Sequence, residues 1–101
     1  MTVEVHLRPD AAQDLVEAAL WYEANEPTLG GKFLDQVQTT LVTIAEQPVA
    51  YPVVYESVRR ALVKRFPFGI FYTVDDIGVV VIAALHGSRH PRVWRERAQE
   101  T

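Results

Sequence analysis

A chain of 101 residues, 49% hydrophobic and 23% charged, has the length of one domain and too much apolar content for a disordered segment. It contains no cysteine, which excludes a disulfide scaffold, a thiol nucleophile and a cysteine-ligated zinc site. The net charge of -3 conceals a division: residues 1–58 carry nine acids against two bases, Arg8 and Lys32, while residues 59–101 carry eight bases against four acids. Such asymmetry suits an anionic partner on the second half, either nucleic acid or an acidic protein segment.

Val3 to Arg8 alternates apolar and polar residues, the period of a half-buried strand. Pro9 then suits the first position of a helix, and Asp10 favours its positive end. Leu15, Ala18, Ala19 and Tyr22 continue at helical spacing to about Asn25, where Pro27 discourages extension. Thr28 is placed to cap a second helix, whose stripe is Phe33, Leu34, Val37, Leu41, Ile44 and Ala45. Gly30 and Gly31 weaken its first turn, and Pro48 ends it near Gln47. So short a connection makes the two helices an antiparallel hairpin.

Pro48 to Glu56 reads as a loop. Three strands are expected after it: Val58 to Phe66, Ile70 to Val74, and Val79 to Leu85, the last apolar enough to be a central strand covered on both faces. Pro67-Phe-Gly69 and Asp75-Asp-Ile-Gly78 supply the turns. Pro91 opens a short helix from about Arg92 to Ala98. The expected fold class is α+β, in the order β-α-α-β-β-β-α. It is a single domain over 1–101: an antiparallel sheet packed by a helical hairpin, with a short C-terminal helix. The N-terminus lacks a basic start followed by a long apolar run, and Val79 to Leu85 is far short of a membrane span. A soluble cytoplasmic protein with no membrane partner is therefore expected.

Several local signatures occur in this order. Ala12-Gln-Asp-Leu15 enters the first helix, Trp21-Tyr22-Glu23 lies near its end, and Phe33-Leu34 stands in the second. Gln47-Pro48, Val58-Arg-Arg60, Arg65-Phe-Pro-Phe68 and Ile70-Phe-Tyr72 follow, and His86-Gly-Ser-Arg-His-Pro91 with Trp94 closes the series. Together they resemble the RelE/ParE toxin superfamily, in particular its ParE-like plasmid-stabilisation branch, over nearly the whole chain. The resemblance implies the toxin of a type II toxin-antitoxin system, a growth inhibitor that forms a hetero-oligomer with its cognate antitoxin. Two mechanisms are implied: ParE-like binding of DNA gyrase, or RelE-like cleavage of mRNA on the ribosome. A degenerate toxin kept as an antitoxin-binding module is a third reading.

Metal-independent RNA cleavage needs a base for the ribose 2′-OH, a cation for the phosphorane and an acid for the leaving oxygen. Arg60, Arg65, His86 and Arg89 are the catalytic candidates, with Arg59 and His90 beside them. His86 offers an imidazole for proton transfer but also ends an apolar strand. RelE-like nucleases carry an arginine just before the segment matching Ile70-Phe-Tyr72 and a tyrosine near the end of the chain. Here Gly69 takes the first place and no tyrosine follows His86. The overall acidity also disfavours docking on ribosomal RNA. The reading is therefore a non-catalytic inhibitor with no cofactor and no metal. Its target- or antitoxin-binding set is Arg59, Arg60, Arg65, Tyr72, His86, Arg89, Arg92, Trp94 and Arg95. Each has a structural counterpart: strand neighbours Arg59 and Arg60 point to opposite faces, Tyr72 and Phe68 suit a core, and Trp94 can fold onto the sheet.

Overall fold

The computed structural model of the chain describes residues 2–100; the two ends of the domain expected over 1–101 lie outside the described residues. The elements are β1 (Val5–Leu7), α1 (Pro9–Asn25), α2 (Leu29–Glu46), β2 (Val53–Tyr55), β3 (Val58–Leu62), β4 (Phe68–Asp75), β5 (Gly78–His86) and α3 (Arg92–Gln99). One five-stranded sheet runs in the order β1-β5-β4-β3-β2. The α+β class and the helical hairpin are as expected. Two details differ. Val53–Tyr55, expected as loop, is a bulged edge strand antiparallel to β3. The sheet is mixed, because β1 pairs parallel to β5 through Val5–Val79 and Leu7–Val81.

Apolar residues divide between the two faces of the sheet. Against the hairpin lie Leu15, Tyr22, Phe33, Val37 and Ile44 from the helices and Ile70, Tyr72, Val79 and Val81 from the strands. Against α3 lie Val58, Phe71, Ile82, Ala83, Leu85 and Trp94. β5 is thus covered on both faces, which explains its nearly unbroken apolar run. A bulge in the β4–β5 ladder pairs Phe71 with Ala83 and Tyr72 with Val81. Ile82 is the extra residue, so Ile82 and Ala83 both join the α3 side.

The hairpin is set by two contacts. At the start of α1, Pro9 occupies the first turn and Asp10 Oδ1 accepts the Ala11 N–H at 2.9 Å. At the start of α2, Thr28 does not cap through its side chain; its backbone is left-handed, with φ 73°. The Glu23 carboxylate of α1 instead accepts the Thr28 and Gly30 N–H groups, at 2.9 and 3.0 Å. Gly30 sits where the two helices touch, and a Cβ there would stand 2.5 Å from the Ala19 carbonyl oxygen. The glycine that weakens the first turn of α2 by propensity is what lets the helices approach.

β5 extends beyond its short partner β1, and two charged side chains cover the exposed edge. Asp14 Oδ2 accepts the Ala84 N–H at 3.0 Å. Arg97 Nη1 donates to the Ile82 carbonyl at 3.2 Å and to Asp14 Oδ2 at 2.5 Å, while its Nη2 reaches Asp14 Oδ1 at 3.1 Å. The hydrogen bond to Asp14, aided by nearby carboxylates, holds the Arg97 pKa above its ordinary value against the opposing effect of burial. Arg8 extends the network to the Arg97 carbonyl, Asp10 and Glu100. Arg97 therefore joins α1, β5 and α3.

Candidate functional site

Strand parity places the basic residues. Arg59 and Ala61 face the hairpin, whereas Arg60 and Leu62 face α3. Arg59 is held by the preceding segment, donating from Nη1 to the carbonyls of Val49 (3.1 Å) and Tyr51 (2.6 Å). Tyr72 is fully buried, and its hydroxyl donates to the Pro48 carbonyl at 2.7 Å. Arg59 and Tyr72 thus fasten residues 48–51 over the sheet. Tyr72 therefore leaves little surface for a partner, and the Arg59 guanidinium is engaged by the Val49 and Tyr51 carbonyls. Burial pushes the Tyr72 hydroxyl up to about 12 from 10.0, with Arg59 opposing and Tyr51 adding to the shift. It does not serve as a proton donor or acceptor near neutral pH.

A pH dependence follows from that shift. Below pH 10 the residue is protonated in both folded and unfolded chains; between about 10 and 12 the unfolded chain ionises first. The contribution is complete below the unfolded value and is lost as pH rises through this window. Urea midpoints measured across it should fall with pH, and fall less steeply in Tyr72→Phe. A residual slope from Tyr22 is expected, whose pKa burial also raises.

The residues that do converge lie on the other face. Arg60, His86, Arg89 and Trp94 share a groove of about 320 Å³ with Leu62 and Phe71. Gly69 forms part of its floor, and the stem of Arg60 lies across it: a Cβ at Gly69 would stand 3.1 Å from Arg60 Cδ. The turn after β5 brings His86 and Arg89 together. The Arg89 N–H donates to the His86 carbonyl at 2.9 Å, and the Gly87 N–H to the Pro67 carbonyl at 2.7 Å. His86 is exposed, lies edge-on to Phe68 with centroids 5.5 Å apart, and accepts the Ser88 N–H on Nδ1 at 3.0 Å.

The remaining candidates are elsewhere. Arg65 sits in a left-handed turn, φ 71°, beside Lys32, Asp35 and Phe66, apart from the Arg60 groove. Trp94 is 6% exposed and stacks on Phe71, with centroids 4.7 Å apart and planes at 16°. It forms a wall of the groove. Arg95 lies over the Tyr55 ring at 4.8 Å. Arg92 is exposed at the start of α3. Sequence reasoning missed the apolar side of the groove, above all Leu62, which is 67% exposed. Its place two residues beyond Arg60 on one strand was the available signal.

Among the described residues, no group of three His, Asp or Glu is arranged to hold a metal ion. None of their helices is long and apolar enough to cross a membrane.

Fold and groove define a small α+β domain in which Arg60, His86 and Arg89 meet on the α3 side of the sheet at one end of β5. Residues 5–91 match the family described as the ParE toxin of type II toxin-antitoxin system, parDE. The chain belongs to that family. Among solved structures, a chain of the chromosomal ParDE TA system from P. aeruginosa is similar, with a TM-score of 0.70 at 19% identity. That likeness covers 84% of this chain and 96% of the other, and it concerns the fold. No curated protein matches.

Proposed function

We propose that this toxin arrests growth by binding a protein target, DNA gyrase, and that a cognate antitoxin neutralises it in a hetero-oligomer. The place of action is the cytoplasm. The hydrogen bond from the Ser88 N–H to His86 Nδ1 carries the choice of binding over cleavage. With Nδ1 accepting that bond, Nε2 carries the ring N–H and is a donor. The groove's other polar side chains, Arg60 and Arg89, are hydrogen-bond donors rather than bases for a ribose hydroxyl. Buried Tyr72 does not supply such a base.

Expression of the chain alone should stop growth, and co-expression with the gene beside it should restore growth. Purified toxin should inhibit gyrase supercoiling at micromolar concentration; unaffected supercoiling would rule out gyrase. The placement of Arg60, His86 and Arg89 in one groove supports a second reading, a ribosome-dependent mRNA endonuclease. Primer extension on translated mRNA separates the two: cuts that disappear in His86→Ala would establish cleavage. Normal growth despite verified soluble overexpression would instead favour a chain retained only to bind antitoxin.

A further inference from the structure

We propose that the Arg60–Arg89 groove binds an extended protein segment of acidic and aliphatic residues, with carboxylates on the two arginines and an aliphatic side chain on Leu62. The proposal rests on the protein-binding reading and specifies the chemistry of the partner.

The two arginines differ from the others that the fold employs. Arg8 and Arg97 are ion-paired and Arg59 donates to backbone carbonyls. Arg60 and Arg89 form no ion pair among the described residues, and no acid lines their groove. Guanidinium groups so placed match carboxylates in a two-pronged geometry. Between them Leu62 is 67% exposed beside buried Phe71 and Leu85. Covering that side chain requires an apolar group, which a phosphate backbone lacks.

Two observations favour peptide over nucleic acid. Bases need open aromatic faces, but Phe71 and Trp94 are 5% and 6% exposed and stack on each other. Past His86 and Arg89 the surface continues into a cavity lined by the acids Asp14 and Glu17. A long polyanion leaving the groove would meet repulsion there, whereas a short acidic segment would not.

The chain has two tryptophans, so Trp21→Phe leaves Trp94 in the groove wall as the only indole reporter. The probe is a capped peptide of alternating leucine and glutamate, titrated into the full-length Trp21→Phe protein. A saturable change in Trp94 emission is expected. Replacing the peptide's glutamates by glutamine, or its leucines by serine, should weaken binding about tenfold or more. Arg60→Gln and Arg89→Gln should each do the same with unchanged thermal melting. Gly69→Ala, which lifts the Arg60 stem, should weaken the acidic peptide more than its glutamine counterpart. Absence of binding, equal affinity for the glutamine peptide, or tighter binding of an oligouridylate would overturn the proposal. Growth arrest by the unsubstituted chain is scored separately. Arrest without peptide binding removes this inference alone, and peptide binding without arrest removes the toxin reading alone.

Discussion

Asp14→Ala should destabilise the protein by about 3–5 kcal/mol, the loss typical when one member of a buried ion pair is removed. The Asp14 and Arg97 side chains are 9% and 17% exposed, so little of the interaction is screened by solvent. Asp14 also satisfies the Ala84 N–H on the open side of β5. The alanine variant therefore leaves both a guanidinium and a strand donor without their partner. For a small domain this is a large fraction of the total stability. Urea unfolding should show a midpoint lower by on the order of 2 M. Asp14→Asn keeps an acceptor for Ala84 but loses the charge, and should fall between parent and alanine variant. Equal losses in the two variants would mean that the strand hydrogen bond contributes nothing.

Phe33→Ala should cost about 3–5 kcal/mol by a different mechanism, the cavity left by a buried aromatic ring. Phe33 is fully buried, with Tyr22, Phe66 and Phe68 at centroid distances of 5.1, 5.2 and 4.9 Å. These rings come from α1, the β3–β4 turn and β4, so the void opens where hairpin and sheet meet. The melting temperature should fall by roughly 15 °C or more. Leu20→Ala tests the specificity of the effect: Leu20 is 65% exposed on α1, and its loss should stay within about 0.5 kcal/mol. A comparable loss at Leu20 would show that the outer side of α1 is not free surface.

The parts of this fold legible in the sequence are those with a long repeating period. α1 and α2 ended close to where their prolines indicated, and Val79 to Leu85 announced a doubly covered strand. Ile70 and Tyr72 lie on the hairpin side and Phe71 on the α3 side, as strand alternation requires. β2 was illegible because three residues with an irregular register carry no measurable period. The parallel pairing of β1 was hidden because it joins distant segments and leaves no local mark. Arg97 looked like a solvated helix residue, since its partner Asp14 lies 83 positions away. In the groove, the basic residues were visible from composition, but only three-dimensional proximity separated Arg60, His86 and Arg89 from Arg65. Tyr72 and Trp94 followed the general tendency of strand-associated aromatics toward the core.

The pairing of β1 with β5 also has a consequence in time. As the chain emerges from the ribosome, the hairpin is made early, while β1 has no strand to join until β5 has been synthesised. The Asp14–Arg97 contact must wait longer still, because Arg97 lies in α3, which follows β5. Such non-local closure is slow compared with forming a hairpin. A nascent chain therefore passes through a stage with its helices formed, its sheet incomplete and its basic groove not yet assembled. Assembly of the Arg60–Arg89 groove is in this way deferred until β5 and α3 have been made.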